Sequence, residues 1–167
     1  MELETFTFDD DGAIPNSALP VLVYRGALRS DAGAAAHEDL FADNGWFGAW
    51  RDGIYPFHHF HSTSHEVLGI ASGTANVVLG GPQGSRLAVI AGDVVVLPAG
   101  TGHCNAGSQP GRVVVGAYPN GMGWDLRRGD PAEHDEVSAN IARVPLADTD
   151  PVQGRDGPLV ELWSAAA

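Results

Sequence analysis

Short apolar runs, broken every few residues by glycine or proline, are the feature that most limits what this chain can become. The 22 glycines and 11 prolines are spread along 167 residues as punctuation rather than gathered in a linker. Between them lie runs rich in valine, isoleucine, leucine and aromatics. Strands are predicted at Leu3–Phe8, Val21–Arg25, Phe47–Arg51, Tyr55–His61, Glu66–Ala71, Thr74–Leu79, Arg86–Ile90, Asp93–Leu97, His103–Asn105 and Arg112–Tyr118. Many short strands with glycine-rich turns build an all-β sandwich or barrel. Ser72-Gly73 and Gly80–Gly84 read as hairpin turns.

One or two short peripheral helices are expected beside the strands. Ala34–Ala42 is alanine-rich, with Leu40 and Phe41 able to dock it. Asp130-Pro131-Ala132-Glu133 has the pattern of a helix start, and Val137 and Ile141 follow one turn apart. Pro145, Pro151 and Pro158 predict an extended tail, anchored by Leu159, Leu162 and Trp163. A chain of this length forms one domain. Its expected parts are a barrel core over 46–118, N-terminal strands and a helix over 1–45, and a C-terminal helix and extended tail over 119–167.

Composition removes several classes of chemistry. All nine cationic side chains are arginine, against 21 acidic ones, for a net charge of −12. Without lysine there is no Walker-type phosphate loop and no Schiff-base catalysis. Without a basic stripe a nucleic-acid partner is not expected. The longest apolar stretches are far too short to span a bilayer, so no membrane partner is expected. The single cysteine, Cys104, excludes an internal disulfide framework and fits a reducing, cytoplasmic setting. Its expected state is a buried, inert side chain.

Four of the seven histidines fall between positions 58 and 65. On a strand, side chains alternate faces, so His59 and His61 share one face with Tyr55 and Phe57, while His58 points away. Glu66 opens the next strand, with Leu68 and Ile70 on its face. Two imidazoles and a carboxylate on adjacent strands form a facial set that leaves coordination positions open on a divalent transition metal. His103, after the tight turn Pro98–Gly102, can supply a fourth donor.

These residues carry a resemblance. Gly53-x5-His59-x-His61-x4-Glu66-x6-Gly73 resembles the first cupin motif, and Gly92-x5-Pro98-x-Gly100-x2-His103 resembles the second. The similarity extends to residues 61–70, to Gly116-Ala-Tyr-Pro, to Trp124-Asp-Leu and to 144–151, which resemble the YjlB-like branch of small bacterial cupins. One position departs: Gly107 stands where the second motif commonly ends in asparagine. Membership of the cupin superfamily implies an RmlC-like antiparallel jelly-roll β-barrel of six to eight strands. It implies a metal ion inside one end, held by His59, His61, Glu66 and His103. It fixes no reaction, because cupins include oxygenases, isomerases, decarboxylases, storage proteins and sensors.

With three neutral imidazoles and one carboxylate, a divalent ion carries a local net charge of +1. Iron, manganese, nickel, copper and zinc all suit that donor set. The expected function is therefore a metal-binding cupin, an oxygenase- or isomerase-type enzyme on a small polar or anionic molecule; the alternative is a non-catalytic ligand-binding or metal-sensing cupin. Tyr55, Phe57, Asn105 and Tyr118 are the candidate pocket lining. His65 has two open readings: a partner that orients a metal ligand, or an exposed side chain. His37 and His134 read as solvated. Arg127 or Arg128 is a candidate clamp for an anion, against the plainer reading of a solvated loop. Leu3–Phe8 is the expected edge of a homodimer.

Overall fold

The computed structural model describes residues 1–167. Nine strands and three helices follow in chain order: β1 (Glu2–Phe6), β2 (Val21–Arg25), α1 (Gly33–Asp43), β3 (Trp46–Asp52), β4 (Glu66–Ser72), β5 (Thr74–Leu79), β6 (Ser85–Ile90), β7 (Val94–Leu97), β8 (His103–Ser108), β9 (Val113–Pro119), α2 (His134–Arg143) and α3 (Pro158–Ala166). The strands form a six-stranded sheet in the order β1-β2-β7-β4-β9-β3 and a three-stranded sheet in the order β6-β5-β8. Every pairing is antiparallel. Consecutive strands alternate between the sheets from β7 to β9, which is jelly-roll connectivity.

The strand sequences explain how the layers stack. Val21, Val23, Leu68, Ile70, Val95, Leu97 and Val114 face the smaller sheet and pack against Ala75, Val77, Leu79 and Val89. Their alternates, Leu22, Tyr24, Val67, Val94, Val96, Val115 and Ala117, face the opposite way, onto Phe41 of α1 and Leu159 and Trp163 of α3. The large sheet is thus buried on both faces at its centre. That is why β2 and β7 read as unbroken apolar runs rather than alternating ones.

Gly69 lets α1 seat itself. A Cβ there would lie 2.4 Å from His37 Cδ2 and 2.9 Å from Phe41 Cζ. His37 is consequently fully buried, with Nδ1 on the Gly33 carbonyl, and the expectation of a solvated side chain is corrected. His134 remains partly open beside Asp10, at 2.7 Å.

Two further expectations change. The core is wider than 46–118, because β2 pairs with β7 inside the large sheet. The tail is not wholly extended, because Pro158–Ala166 is helical, making three helices rather than one or two. Pro158 sits in the first helical turn, where its missing N–H costs nothing and its fixed φ favours the helix. Leu159 and Trp163, four apart, are both buried. The buried Asp150 carboxylate accepts from the N–H groups of Val152, Gln153 and Leu159 and from the Tyr24 hydroxyl, which ties the tail to β2. The Asp130 carboxylate caps the turn before α2 by accepting from Ala132 N at 2.9 Å.

The clasp made by α3 has a measurable weight. Trp163 is 1% exposed and donates from Nε1 to the Pro20 carbonyl at 2.9 Å. Trp163→Ala is expected to lower the unfolding free energy by about 3–5 kcal/mol in urea denaturation.

Candidate metal centre

The site forms where one irregular segment runs antiparallel beside β8, the edge of the smaller sheet. Residues 55–61 do not make the full strand expected. Proline at 56 has no N–H to give, and pairing is confined to short bridges. His59 and His103 exchange both backbone hydrogen bonds, at 3.2 and 2.9 Å, and Asn105 N donates to the Tyr55 carbonyl at 2.9 Å. Directly opposed residues present their side chains on one face. The His59 and His103 rings are accordingly 4.0 Å apart. His61, two residues on, shares that face, and Glu66 approaches from β4 across the sandwich.

The donor atoms of His59, His61 and His103 lie within 4.8 Å of one another, and all three side chains are buried. This cluster could hold a metal ion. Glu66 joins it through Oε2, 3.1 Å from His61 Nε2 and 3.3 Å from His103 Nε2. Two donors each about 2.1 Å from one ion, at angles between octahedral and tetrahedral, stand roughly 3.0–3.4 Å apart.

Tautomers decide how this cluster behaves. His59 Nδ1 donates to the Phe57 carbonyl at 2.9 Å, His103 Nδ1 to Thr101 at 3.0 Å, and His61 Nδ1 to Asp125. A carbonyl can only accept, so in each neutral ring the proton is on Nδ1 and the Nε2 lone pair faces inward. Three inward lone pairs then meet a buried carboxylate whose Oε2 has no hydrogen-bond donor. Acceptor against acceptor in a dry interior is unfavourable unless a positive charge stands between them. The donor set and the orphaned oxygen fit a divalent cation.

Without a cation, protons must supply the charge. Burial drives the His59 pKa down, to about 3, with the charge on His103 adding to the effect. Burial also opposes protonation of His61, but the Glu66 carboxylate more than offsets it, so His61 is raised above its ordinary value. Burial alone would raise Glu66; His103 and His61 together hold it well below the usual carboxylate range.

The other face of Glu66 is fixed by an ordered pair. Trp50 Nε1 donates to the Tyr118 hydroxyl at 2.7 Å, and Tyr118 in turn donates to Glu66 Oε1 at 3.3 Å. An indole N–H can only donate, so the Tyr118 proton is directed at Glu66. Burial first, then the charge on Glu66, raises the Tyr118 pKa and keeps it a phenol. Trp50 reaches Tyr118 because position 116 is glycine: a Cβ there would lie 2.1 Å from its indole. The irregular register between Phe47 and Trp50 on β3 carries the indole to that point.

A cavity of about 220 Å³ opens over the cluster. His59, His61, Glu66 and His103 form its floor, and Trp50, Ile54, Tyr55, Leu68, Tyr118 and Trp124 its apolar walls. Tyr55 and Tyr118 are among the lining residues. Two other expectations are corrected. The Phe57 ring stacks on Tyr55 at 4.9 Å and carries Arg128 at 3.8 Å, outside the lining. The Asn105 side chain turns along its own strand to Gly107 N and Ser108. His65 orients none of the cluster: Nδ1 accepts from Ala99 N and Nε2 donates to Pro145 O, both at 2.9 Å, and the ring rests on Trp163. Its partners make it a strut between the second motif and the tail. Arg127 is no anion clamp, because Asp125, Glu133 and Glu136 hold its guanidinium.

Ile54, Leu68, Ser62 and Asp125 were not foreseen as parts of the site. Leu68 had a signal, since it lies two residues after Glu66 on one strand face. Asp125 had none: its carbonyl orients His61, while its carboxylate accepts from Ser62 N at 2.6 Å and from Ser62 Oγ.

The jelly-roll order, with both histidine-bearing motifs meeting at one end of the sandwich, is the arrangement that the resemblance to the cupin motifs implies. No family model matches it. It is 40% identical over 163 residues to the uncharacterized protein YjlB of Bacillus subtilis (strain 168), with 97% of each chain covered. The chain belongs to the YjlB family. Among solved structures it is similar to an acireductone dioxygenase from Bacillus anthracis with a cadmium ion in its active centre. That match has 15% identity, covers 72% of this chain and 80% of the other, and has a TM-score of 0.37. An oxalate decarboxylase from Bacillus subtilis matches at 18% identity over 70% of this chain and 29% of its own, with a TM-score of 0.38. No helix is long and apolar enough to cross a membrane.

Buried imidazoles make stability pH-dependent in a calculable direction. Burial lowers the His65 pKa to about 4, and it also lowers His37. The unfolded chain therefore binds more protons than the folded one as pH falls below about 6.5. The stability held by these two neutral rings is complete above that value and is lost on acidification, with His65 alone accounting for about 3 kcal/mol by pH 4. His59 extends the loss toward pH 3, and His61, shifted upward, opposes it in part. Metal-free protein is expected to show a steadily falling Tm from pH 6.5 to 4 in calorimetry.

Proposed function

We propose that this protein is a metal-dependent enzyme that binds one divalent transition-metal ion through His59, His61, Glu66 and His103. Its substrate is a small oxygen-bearing molecule held in the cavity above the ion. The observation that carries this reading is the orphaned Glu66 Oε2 facing three imidazoles whose Nδ1 protons are engaged by backbone carbonyls. When bound, such an ion supplies Lewis acidity or O₂ activation, the chemistry of oxygenase- and isomerase-type reactions.

The protein's own groups set the conditions. The carbonyls of Phe57, Thr101 and Asp125 hold the three rings in place. Tyr118 keeps Oε1 of Glu66 occupied and leaves Oε2 toward the histidines. The four floor side chains are buried, so the charge interactions among them are weakly screened. Four protein donors leave two positions on a six-coordinate ion for substrate or substrate and O₂. We place the protein in the cytoplasm as a homodimer; β1, the edge of the larger sheet, is the strand through which two copies would pair.

Protein purified without chelators is expected to carry one equivalent of metal by elemental analysis. The His59→Ala, His61→Ala double variant is expected to carry none, and a full equivalent in that variant contradicts the assignment. Metal added to stripped protein at 100 times its Kd is expected to stabilise the fold by about 2.7 kcal/mol. The same addition to the double variant is expected to leave its Tm unchanged.

A further inference from the structure

The walls and rim of the cavity carry information about the ligand beyond its oxygen donors. Four aromatic side chains line it: Trp50, Tyr55, Tyr118 and Trp124. Trp124 stacks nearly parallel to Tyr118, with ring centroids 5.8 Å apart at 18°, and meets the His61 ring edge-on at 5.2 Å. Trp124 and Tyr55 are each 44% exposed although both border the buried cluster. Half-exposed aromatic faces over a buried polar floor are surfaces that a flat apolar ligand covers favourably.

Arg51 is the one cationic side chain in the lining. Arg51, at the rim, pairs with Glu38 at 2.5 Å, and its neighbour at the rim is Asp52. Arg127 is held by three carboxylates, and Arg128 lies on Phe57 outside the lining. A carboxylate beyond the atoms that reach the metal would find no unpaired guanidinium in the lining, in a chain of net charge −12. At about 220 Å³ the cavity is smaller than the roughly 300–1,000 Å³ usual for drug-sized ligands.

We propose that the cavity selects a flat, conjugated molecule of single-ring size, uncharged apart from the enolic or phenolic oxygens it presents to the metal, and disfavours aliphatic di-acids. This rests on the metal-centre reading above and narrows the expectation of a polar or anionic substrate. Trp124 is the specificity-determining residue, because it contacts both the floor, through His61, and the wall, through Tyr118, from a loop outside the barrel.

The test uses full-length protein loaded with Co(II). Tropolone, a flat ring chelator, and oxalate, an aliphatic dianion, are titrated separately against the visible Co(II) spectrum. Each affinity is divided by that of the same probe for aqueous Co(II). The protein is expected to favour tropolone over oxalate by at least about tenfold on this scale. Trp124→Ala is expected to weaken tropolone roughly fivefold to tenfold while leaving oxalate within about twofold, and Trp124→Phe is expected to retain most of the preference. Equal or greater enhancement for oxalate, or a Trp124→Ala loss shared by both probes, overturns the ligand class and leaves the metal centre standing. Failure of the wild-type protein to take up Co(II) overturns the metal centre and this inference together.

Discussion

Three imidazole N–H groups donate outward to three backbone carbonyls, and the rest of the site depends on that arrangement. The Phe57, Thr101 and Asp125 carbonyls cannot accept from a ring and also leave its proton free to turn inward. The inward nitrogens are therefore acceptors, collected around the equally acceptor-rich Glu66. Such a cluster is electrostatically incomplete, and a cation completes it. The same preference explains why burial suppresses protonation of His59 while Glu66 promotes it at His61: neighbouring rings share one deficit and cannot all relieve it at once.

The fold supplies this arrangement through its least regular parts. His59 and His103 are opposed by a two-residue bridge, not by a long ladder. The Asp125 carbonyl comes from a segment paired to the barrel only through Phe60 and Arg127. That segment is held in turn by Ser62 on one side and by Arg127, bound to Glu133 and Glu136, on the other. Beneath them the large sheet is buried on both faces, which makes it a stiff base for Glu66 on β4 and Tyr118 on β9. The packing that closes it on the outer side, α1 against Gly69 and α3 through Trp163, lies far along the chain from the donors it stabilises.

Much of this was legible in the sequence because its signals are local. Short apolar runs and glycine punctuation placed β2 and β5 at their observed bounds and the other barrel strands to within a few residues. Strand alternation sets His59 and His61 on one face beside Glu66, and the resemblance to the second cupin motif joins His103 to them. What was not legible depends on long-range packing. Pro158 looks the same whether it ends a strand or begins a helix, and only burial of Leu159 and Trp163 decides between them. His37 reads as a surface residue until Gly69 is seen to leave room for it. Asn105 shares a strand with His103, but its side chain is drawn along that strand to Gly107 N, where the register shifts, which strand alternation does not foresee. Trp124 and Asp125 sit in a loop without periodicity, so their contacts with His61 had no counterpart in the pattern.

The most direct measurement is anomalous diffraction from crystals of metal-loaded protein at the absorption edge of the metal. The account predicts one strong peak per chain, about 2.0–2.2 Å from the Nε2 atoms of His59, His61 and His103 and from a Glu66 oxygen. It also predicts that all three Nδ1 atoms stay on the carbonyls of Phe57, Asp125 and Thr101. A peak elsewhere, or coordination through Nδ1 with those carbonyl bonds broken, would contradict it.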